Sequence, residues 1–323
     1  MFKALNVQDN SEVVIIDPRW SEDISHLRDI DRQNQLVCQG CRQPVRVRAG
    51  EQRREHFSHK HLENCTYADE SAILRSSRAL LYKWLKSKFG TDVTIEKQLE
   101  GMHPFRPVDC WVTKDSKVFA YWIFDSSIKQ EKRMNLQYCA QNLGIHFHWV
   151  FATSMLRRNQ VIPNELYLST TEREFIQGSK YDAIYSTNYH STKGTLHYLD
   201  YEKGILTTFR GLSKIHGPQV YSGHVQSSEL ENILISPQTG EFVYKGEHEA
   251  LKKQEQELVA TRSERFVKRP ESTKLENSTH SRSLILSNNA KCVHCGEITN
   301  DWWSFDGKTG LCKCKSCLKQ GKH

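Results

Sequence analysis

Apolar residues Ile73, Leu74, Leu80, Leu81, Trp84 and Leu85 recur at three- and four-residue steps between basic positions, predicting an amphipathic helix over 69–89 that Gly90 ends. Three short apolar runs follow, at 93–95, 108–112 and 118–124, separated by turn-like stretches, and read as strands of one sheet. Residues 127–142 return to a helical pattern, and 146–152 (HFHWVFA) form a further strand. The order helix, three strands, helix, strand predicts an α/β sandwich of modest size.

Outside this block the pattern changes. Residues 1–35 are polar apart from an apolar run at 13–16, an opening strand or two. Beyond Arg157 short strand-like pieces at 194–198, 205–209, 219–221, 233–235 and 242–244 alternate with turns, predicting a mainly β segment. A charged helix over 247–269 and a Ser/Thr/Asn-rich linker over 270–287 lead to a separate module. The expected domains are therefore 1–68 (strands and a Cys/His module), 69–157 (α/β core), 158–269 (mainly β, ending in the charged helix), the linker 270–287, and 288–323. At 323 residues the chain is long enough for two or three cores.

Composition narrows the class. With 37% hydrophobic and 26% charged residues and no apolar run near the roughly 18–20 residues that cross a bilayer, a membrane span is not expected. Residues 1–10 lack the basic and apolar regions of a secretory signal, so the expected compartment is the cytoplasm. A net charge of +7 favours polyanionic partners.

Cysteine placement says more than charge. Eight of the ten fall in two short clusters, and in a chain with no export signal such clusters point to metal before disulfides. In the C-terminal cluster, Cys292-x2-Cys295 and Cys314-x2-Cys317 are spaced to present four thiolates to zinc as a ribbon, with Cys312 a surplus ligand beside Cys314. Trp302, Trp303 and Phe305 between them can stack on bases or pack a hairpin, and the ribbon can equally meet a protein partner. In the N-terminal cluster, Cys38-x2-Cys41, His59 and Cys65 make a Cys3His set, so two structural Zn2+ ions are expected. Between its ligands run Arg42, Arg46, Arg48, Arg53 and Arg54, a candidate phosphate-facing hairpin.

The order of these features resembles the competence protein CoiA-like family. The resemblance rests on Cys38 and Cys41, the His56–His59 signature, Cys65, and Glu70-Ser71 opening the first helix. It continues through Glu96, Arg106 with Asp109, Arg133, Tyr138, Gly144 and His148-Trp149-Val150, and so covers about residues 36–152. It implies a zinc module fused to a restriction-endonuclease-like (PD-(D/E)XK) core, a mixed sheet flanked by helices, acting on DNA in uptake, recombination or defence. Such nucleases need an acidic pair and a lysine around Mg2+. The resemblance puts the aspartate at Asp109, with Glu96 or Asp125 as its partner and Lys129 as a distant positive charge. Where the second strand should carry an acid and a Gln or Lys, this chain has Trp122 and Phe124, which favours a degenerate, DNA-gripping core over an active Mg2+-dependent nuclease. By strand alternation Trp122 and Phe124 share a face from which Asp125 points away.

Overall fold

The computed structural model describes residues 1–50, 53–61, 65, 70–100, 105–185, 194–267, 290–292, 298–299, 302–306 and 311–314. Chain contacts divide it into two units, Met1–Ser263 and Glu264–His323. The expected linker 270–287 lies outside the described residues.

The first unit opens with β1 (Lys3–Asn6), β2 (Glu12–Val14), α1 (Pro18–Ser21), α2 (Ile24–Arg32) and β3 (Leu36–Cys38). The strands form a small sheet in the order β2-β1-β3. Ile24, Leu27 and Ile30 at helical spacing, with Asp23 accepting from His26 N at the N-cap, make α2, a helix the polar reading of 1–35 does not predict. β4 (Val45–Gly50) and β5 (Arg53–His59) form a separate hairpin.

Then come α3 (Ala72–Phe89), β6 (Val93–Lys97), β7 (Val108–Lys114), β8 (Lys117–Phe124), α4 (Gln130–Asn142) and β9 (His146–Ala152), close to the predicted helix, three strands, helix and strand. Ser71 caps α3 by accepting from Leu74 N at 2.9 Å, and Gly90, at φ +59°, ends it in a conformation only glycine adopts cheaply. β6 to β8 run antiparallel. β9 joins β8 in parallel through the α4 crossover.

β10 (Glu165–Tyr167), α5 (Thr170–Glu174), α6 (Asp182–Tyr185), β11 (Gly194–Asp200), β12 (Ile205–His216), β13 (Val220–Glu229), β14 (Ile233–Ile235), β15 (Phe242–Tyr244) and α7 (Lys245–Val267) complete the run. The strands expected to form a segment of their own continue the same sheet. β11 pairs β9 in parallel, giving eight strands in the order β10-β13-β12-β11-β9-β8-β7-β6. The border expected at residue 157 thus falls between two paired strands, because β9 would otherwise leave an open edge of backbone donors and acceptors. β8 and β9 are buried on both faces, as central strands of a covered sheet must be.

The result is an α/β fold in which helices flank a mixed sheet. On one face Leu74, Leu81 and Leu85 of α3 pack with Cys110, Tyr121 and Ile123 and with the N-terminal strands. On the other, Leu136 and Ala140 of α4 pack with Trp122, Phe124, Phe151 and Phe175. The turn-rich 236–241 segment is a clasp on this sheet. Tyr121 Oη donates to the Gly240 carbonyl at 2.7 Å, and His148 Nε2 lies 2.9 Å from the Thr239 carbonyl. Burial holds His148 down at about 4, so it is neutral. His197 is likewise a packed core residue, within hydrogen-bonding distance of Thr208.

In the second unit β16 (Ala290–Cys292), β17 (Ile298–Thr299), β18 (Trp302–Asp306) and β19 (Leu311–Cys314) form a sheet in the order β17-β16-β19-β18. Cys292 pairs in register with Cys312 across β16 and β19, two residues before Cys314. Cys295 and Cys317 lie outside the described residues.

Candidate metal centre and the neighbouring carboxylate cluster

The first knuckle forms because β3 ends at Cys38 and the chain turns back through Cys41. Arg42, at φ +60°, donates its N–H to the Cys38 carbonyl at 3.0 Å. β5 ends on His59, and Cys65 completes the group. The ligand atoms of Cys38, Cys41, His59 and Cys65 all lie within 4.8 Å of one another. A zinc tetrahedron with Zn–S of about 2.3 Å has sulfur–sulfur edges of about 3.8 Å. Cys38 Sγ and Cys65 Sγ are 3.7 Å apart, and Cys41 Sγ and His59 Nε2 are 3.3 Å apart.

The chemistry of the donors agrees with the geometry. Burial pushes the Cys38 thiol up to about 12, so its thiolate needs a cation beside it. Burial also pulls His59 below the usual histidine value, toward the neutral ring a metal binds. The three thiols are free rather than paired as disulfides. These four residues fit a structural Cys3His zinc site. With all four positions filled by protein, a metal there would have none left for an activated water.

Gln39, between the two knuckle cysteines, reaches out of the module: its Nε2 donates to the Glu96 carbonyl at 2.9 Å. The Glu96 side chain accepts from Phe2 N and Lys3 N at 2.9 and 3.0 Å. Glu96 holds φ at +50°, a left-handed conformation that costs a side-chain-bearing residue about 1–2 kcal/mol, which these hydrogen bonds offset.

Glu96 and Asp109, expected to hold Mg2+, do come together, but around a guanidinium. Arg78 of α3 is wholly buried, and three carboxylates converge on it. It contacts Glu70 at 2.6 Å, Asp109 at 2.7 Å and Glu96 in a third ion pair. Asp109 also accepts from Arg106 and, at 2.7 Å, from Ile123 N. Burial alone would lower the Arg78 pKa, but Glu70, Asp109 and Glu96 together drive it up. Burial likewise favours a protonated Glu70, yet Arg78 outweighs it and holds the carboxyl at about 2; the Met1 amino group lies 3.2 Å from its second oxygen.

Of the other expected groups, Asp125 follows the end of β8 and bonds the Ser71 hydroxyl at the α3 N-terminus. It lines a cavity of about 350 Å3 with Glu70, Arg106 and Trp122. Lys129 is exposed, just ahead of α4; Lys132, one turn on, lines the cavity instead. Trp122 lies beneath the Arg106 guanidinium, 4.3 Å from its ring centre, and Phe124 stacks on Phe151. Neither side chain supplies a metal ligand.

Arg78 was the residue to find from sequence. It stands in the buried stripe of α3 between Leu74 and Leu81, where a charge is stable only if paired. Arg133 shows the same signal in α4 and pairs with both carboxylate oxygens of Glu174 at 2.6 and 2.9 Å.

Arg46 and Arg48 project from β4 into solvent, alternating with Val45 and Val47 that face inward, and Arg42 is exposed at the knuckle. The side chains of Arg53 and Arg54 lie outside the described residues. Among the described residues no helix is long and apolar enough to cross a membrane.

Residues 20–68 match the family model described as the N-terminal domain of competence protein CoiA, a span that takes in all four metal-site residues and the arginine hairpin. No curated protein and no solved structure matches the chain.

Proposed function

We propose that this chain is a DNA-binding protein of the competence CoiA-like type, in which a zinc-clamped module and a restriction-endonuclease-like core of PD-(D/E)XK descent grip DNA without cutting it. It would act in DNA uptake, recombination or defence against foreign DNA. The observation that carries the reading is Arg78. The carboxylates that would ligate Mg2+ in a nuclease of this type are instead paired with a buried guanidinium on the helix above them, with Arg106 and the Met1 amino group supplying the remaining positive charge. The order of α3, three antiparallel strands, the α4 crossover and parallel β9 supports the nuclease-like ancestry.

In this reading zinc is structural: it holds the knuckle so that Gln39 can fix Glu96 and so that the β4–β5 hairpin, packed on the core through Val45 and Phe57, turns Arg46 and Arg48 outward. Arg42, Arg46 and Arg48, with Arg53 and Arg54 further along the hairpin, supply the phosphate contacts. A second zinc belongs to Cys292, Cys295, Cys314 and Cys317. That ribbon is open to a protein partner or to nucleic acid.

Fluorescence anisotropy with labelled DNA at 50 and 200 mM salt tests the proposal. The expected result is salt-sensitive binding, weakened by Arg46→Glu with Arg48→Glu and unchanged in a folded Asp109→Asn variant. Absence of binding at low salt would refute it.

A further inference from the structure

Resting on the DNA-binding reading, we infer that the loop 159–164 is a preformed apolar wedge that enters duplex DNA between adjacent base pairs and bends it. Val161, Ile162 and Pro163 stand in succession at its tip, all exposed, Val161 at 87% and Ile162 at 41%. Single exposed apolar residues need no explanation. A run of three held out on a fixed loop does.

The loop is fixed at its base. Asn159 Oδ1 accepts from Val161 N at 2.9 Å and from Ile162 N at 3.3 Å, and Asn159 Nδ2 donates to Glu165 Oε2 at 2.9 Å. Asn159 N and Glu165 N donate to the Glu165 and Ile162 carbonyls, each at 3.0 Å, and Gly223 N ties the Asn164 carbonyl to β13 at 3.2 Å. Pro163 fixes its own φ and narrows the conformations open to Ile162. The tip is therefore ordered before it meets a partner, and inserting it costs little conformational entropy.

Its surroundings select that partner. Arg157 and Arg158 lead into the loop, both exposed, and exposed Lys214 lies in the same cross-strand row as Arg158, through Tyr221 and Leu166. The Arg157 guanidinium has no hydrogen bond or ion pair among the described residues, whereas the neighbouring acid, Glu165, has one oxygen committed to Asn159. An apolar protein pocket or a bilayer would also accept Val161 and Ile162, but three cations around one acid favour a polyanion. Duplex DNA offers apolar faces between its stacked bases and a phosphate on either side of each step. Isoleucine and proline are among the side chains that wedge between base steps and kink the duplex by roughly 20–90°. Cations beside such a wedge hold the flanking phosphates. The loop stands at the β10 edge of the sheet, opposite the β6 edge that Gln39 of the zinc module meets, so it is a contact separate from the arginine hairpin.

A duplex of about 25 base pairs with a donor and an acceptor dye at its ends is titrated with zinc-loaded full-length protein at several salt concentrations. Energy transfer reads the bend and anisotropy the affinity. Val161→Ser with Ile162→Ser removes the apolar tip and keeps the backbone hydrogen bonds to Asn159, Val161→Leu keeps the tip apolar, and Arg157→Gln removes one guanidinium. The parent should bend the duplex by at least about 20°. The double serine variant should lose the bend and about tenfold in affinity, with no change in the slope of log affinity against log salt, because no phosphate contact has gone. Val161→Leu should bend DNA as the parent does, and Arg157→Gln should make the slope shallower by about 0.9. A straight complex, or a double serine variant that binds and bends DNA as well as the parent, would overturn the inference and leave the DNA-binding reading standing, with the tip assigned to a protein or membrane instead. If the parent binds no DNA at low salt, both fall.

Discussion

Replacing Arg78 by Met keeps an unbranched apolar stem and removes the guanidinium on which Glu70, Glu96 and Asp109 converge. Two independent lines give the size of the effect. Breaking a buried ion pair by removing one partner costs about 3–5 kcal/mol, because the remaining charge is left uncompensated. From the other side, holding Glu70 at about 2 rather than at its ordinary 4.5 is worth roughly 3 kcal/mol. Arg78→Met should therefore lose about 3–5 kcal/mol at pH 7.5, a large part of the 5–15 kcal/mol typical of folded domains. The sign with pH follows from the depressed Glu70 pKa. In the parent protein its contribution is complete above 4.5 and is lost as pH falls toward about 2. The variant's unpaired carboxylates take up protons at higher pH, so the gap between the two proteins narrows from pH 7.5 to pH 5. Urea unfolding of both zinc-loaded proteins at the two pH values, followed by tryptophan fluorescence, reads this directly. A loss under about 1 kcal/mol, or a gap that widens on acidification, would refute the claim that Arg78 is the counterion that holds the cluster together.

The other predictions concern the metal, the hairpin and the clasp. Cys65→Ser should lower bound zinc by one equivalent and depress the melting temperature, measured by elemental analysis and calorimetry on the same sample; unchanged zinc would remove Cys65 from the ligand set. Arg46→Glu with Arg48→Glu should make the slope of log affinity against log salt shallower by about 2, roughly 0.9 for each phosphate no longer neutralised; an unchanged slope would move the DNA elsewhere. Gly240→Ala should destabilise by about 2–4 kcal/mol, since its φ is +73° and a Cβ there would come 2.6 Å from the Phe119 ring and 2.7 Å from His148 Nε2. A thermal shift near zero would show that the 236–241 segment does not clasp the sheet.

Legibility in the sequence followed the range of the interaction. α3 and β6 to β9 were predictable because apolar spacing, a Ser71 cap and a Gly90 stop are local signals. The Cys3His set was predictable because knuckle spacing is local too, and His59 rather than His56 is the histidine that joins the cysteines. The parallel pairing of β9 with β11 was not, since nothing near either strand specifies a partner more than forty residues away. α2 was obscured by its charged majority, though Ile24, Leu27 and Ile30 carried its period. At the candidate site, sequence supplied Glu96 and Asp109 but not what they bind. That depended on recognising that an arginine inside an apolar helical stripe must have buried acids opposite it.

The most direct test is to hold labelled DNA, single-stranded and duplex, fully bound to the zinc-loaded protein with Mg2+ or Mn2+ in excess, and to follow strand length over hours. DNA that is retained and remains whole is the predicted outcome. Cleavage that disappears in Asp109→Asn would contradict it and make Arg78 a movable guard rather than a fixed counterion.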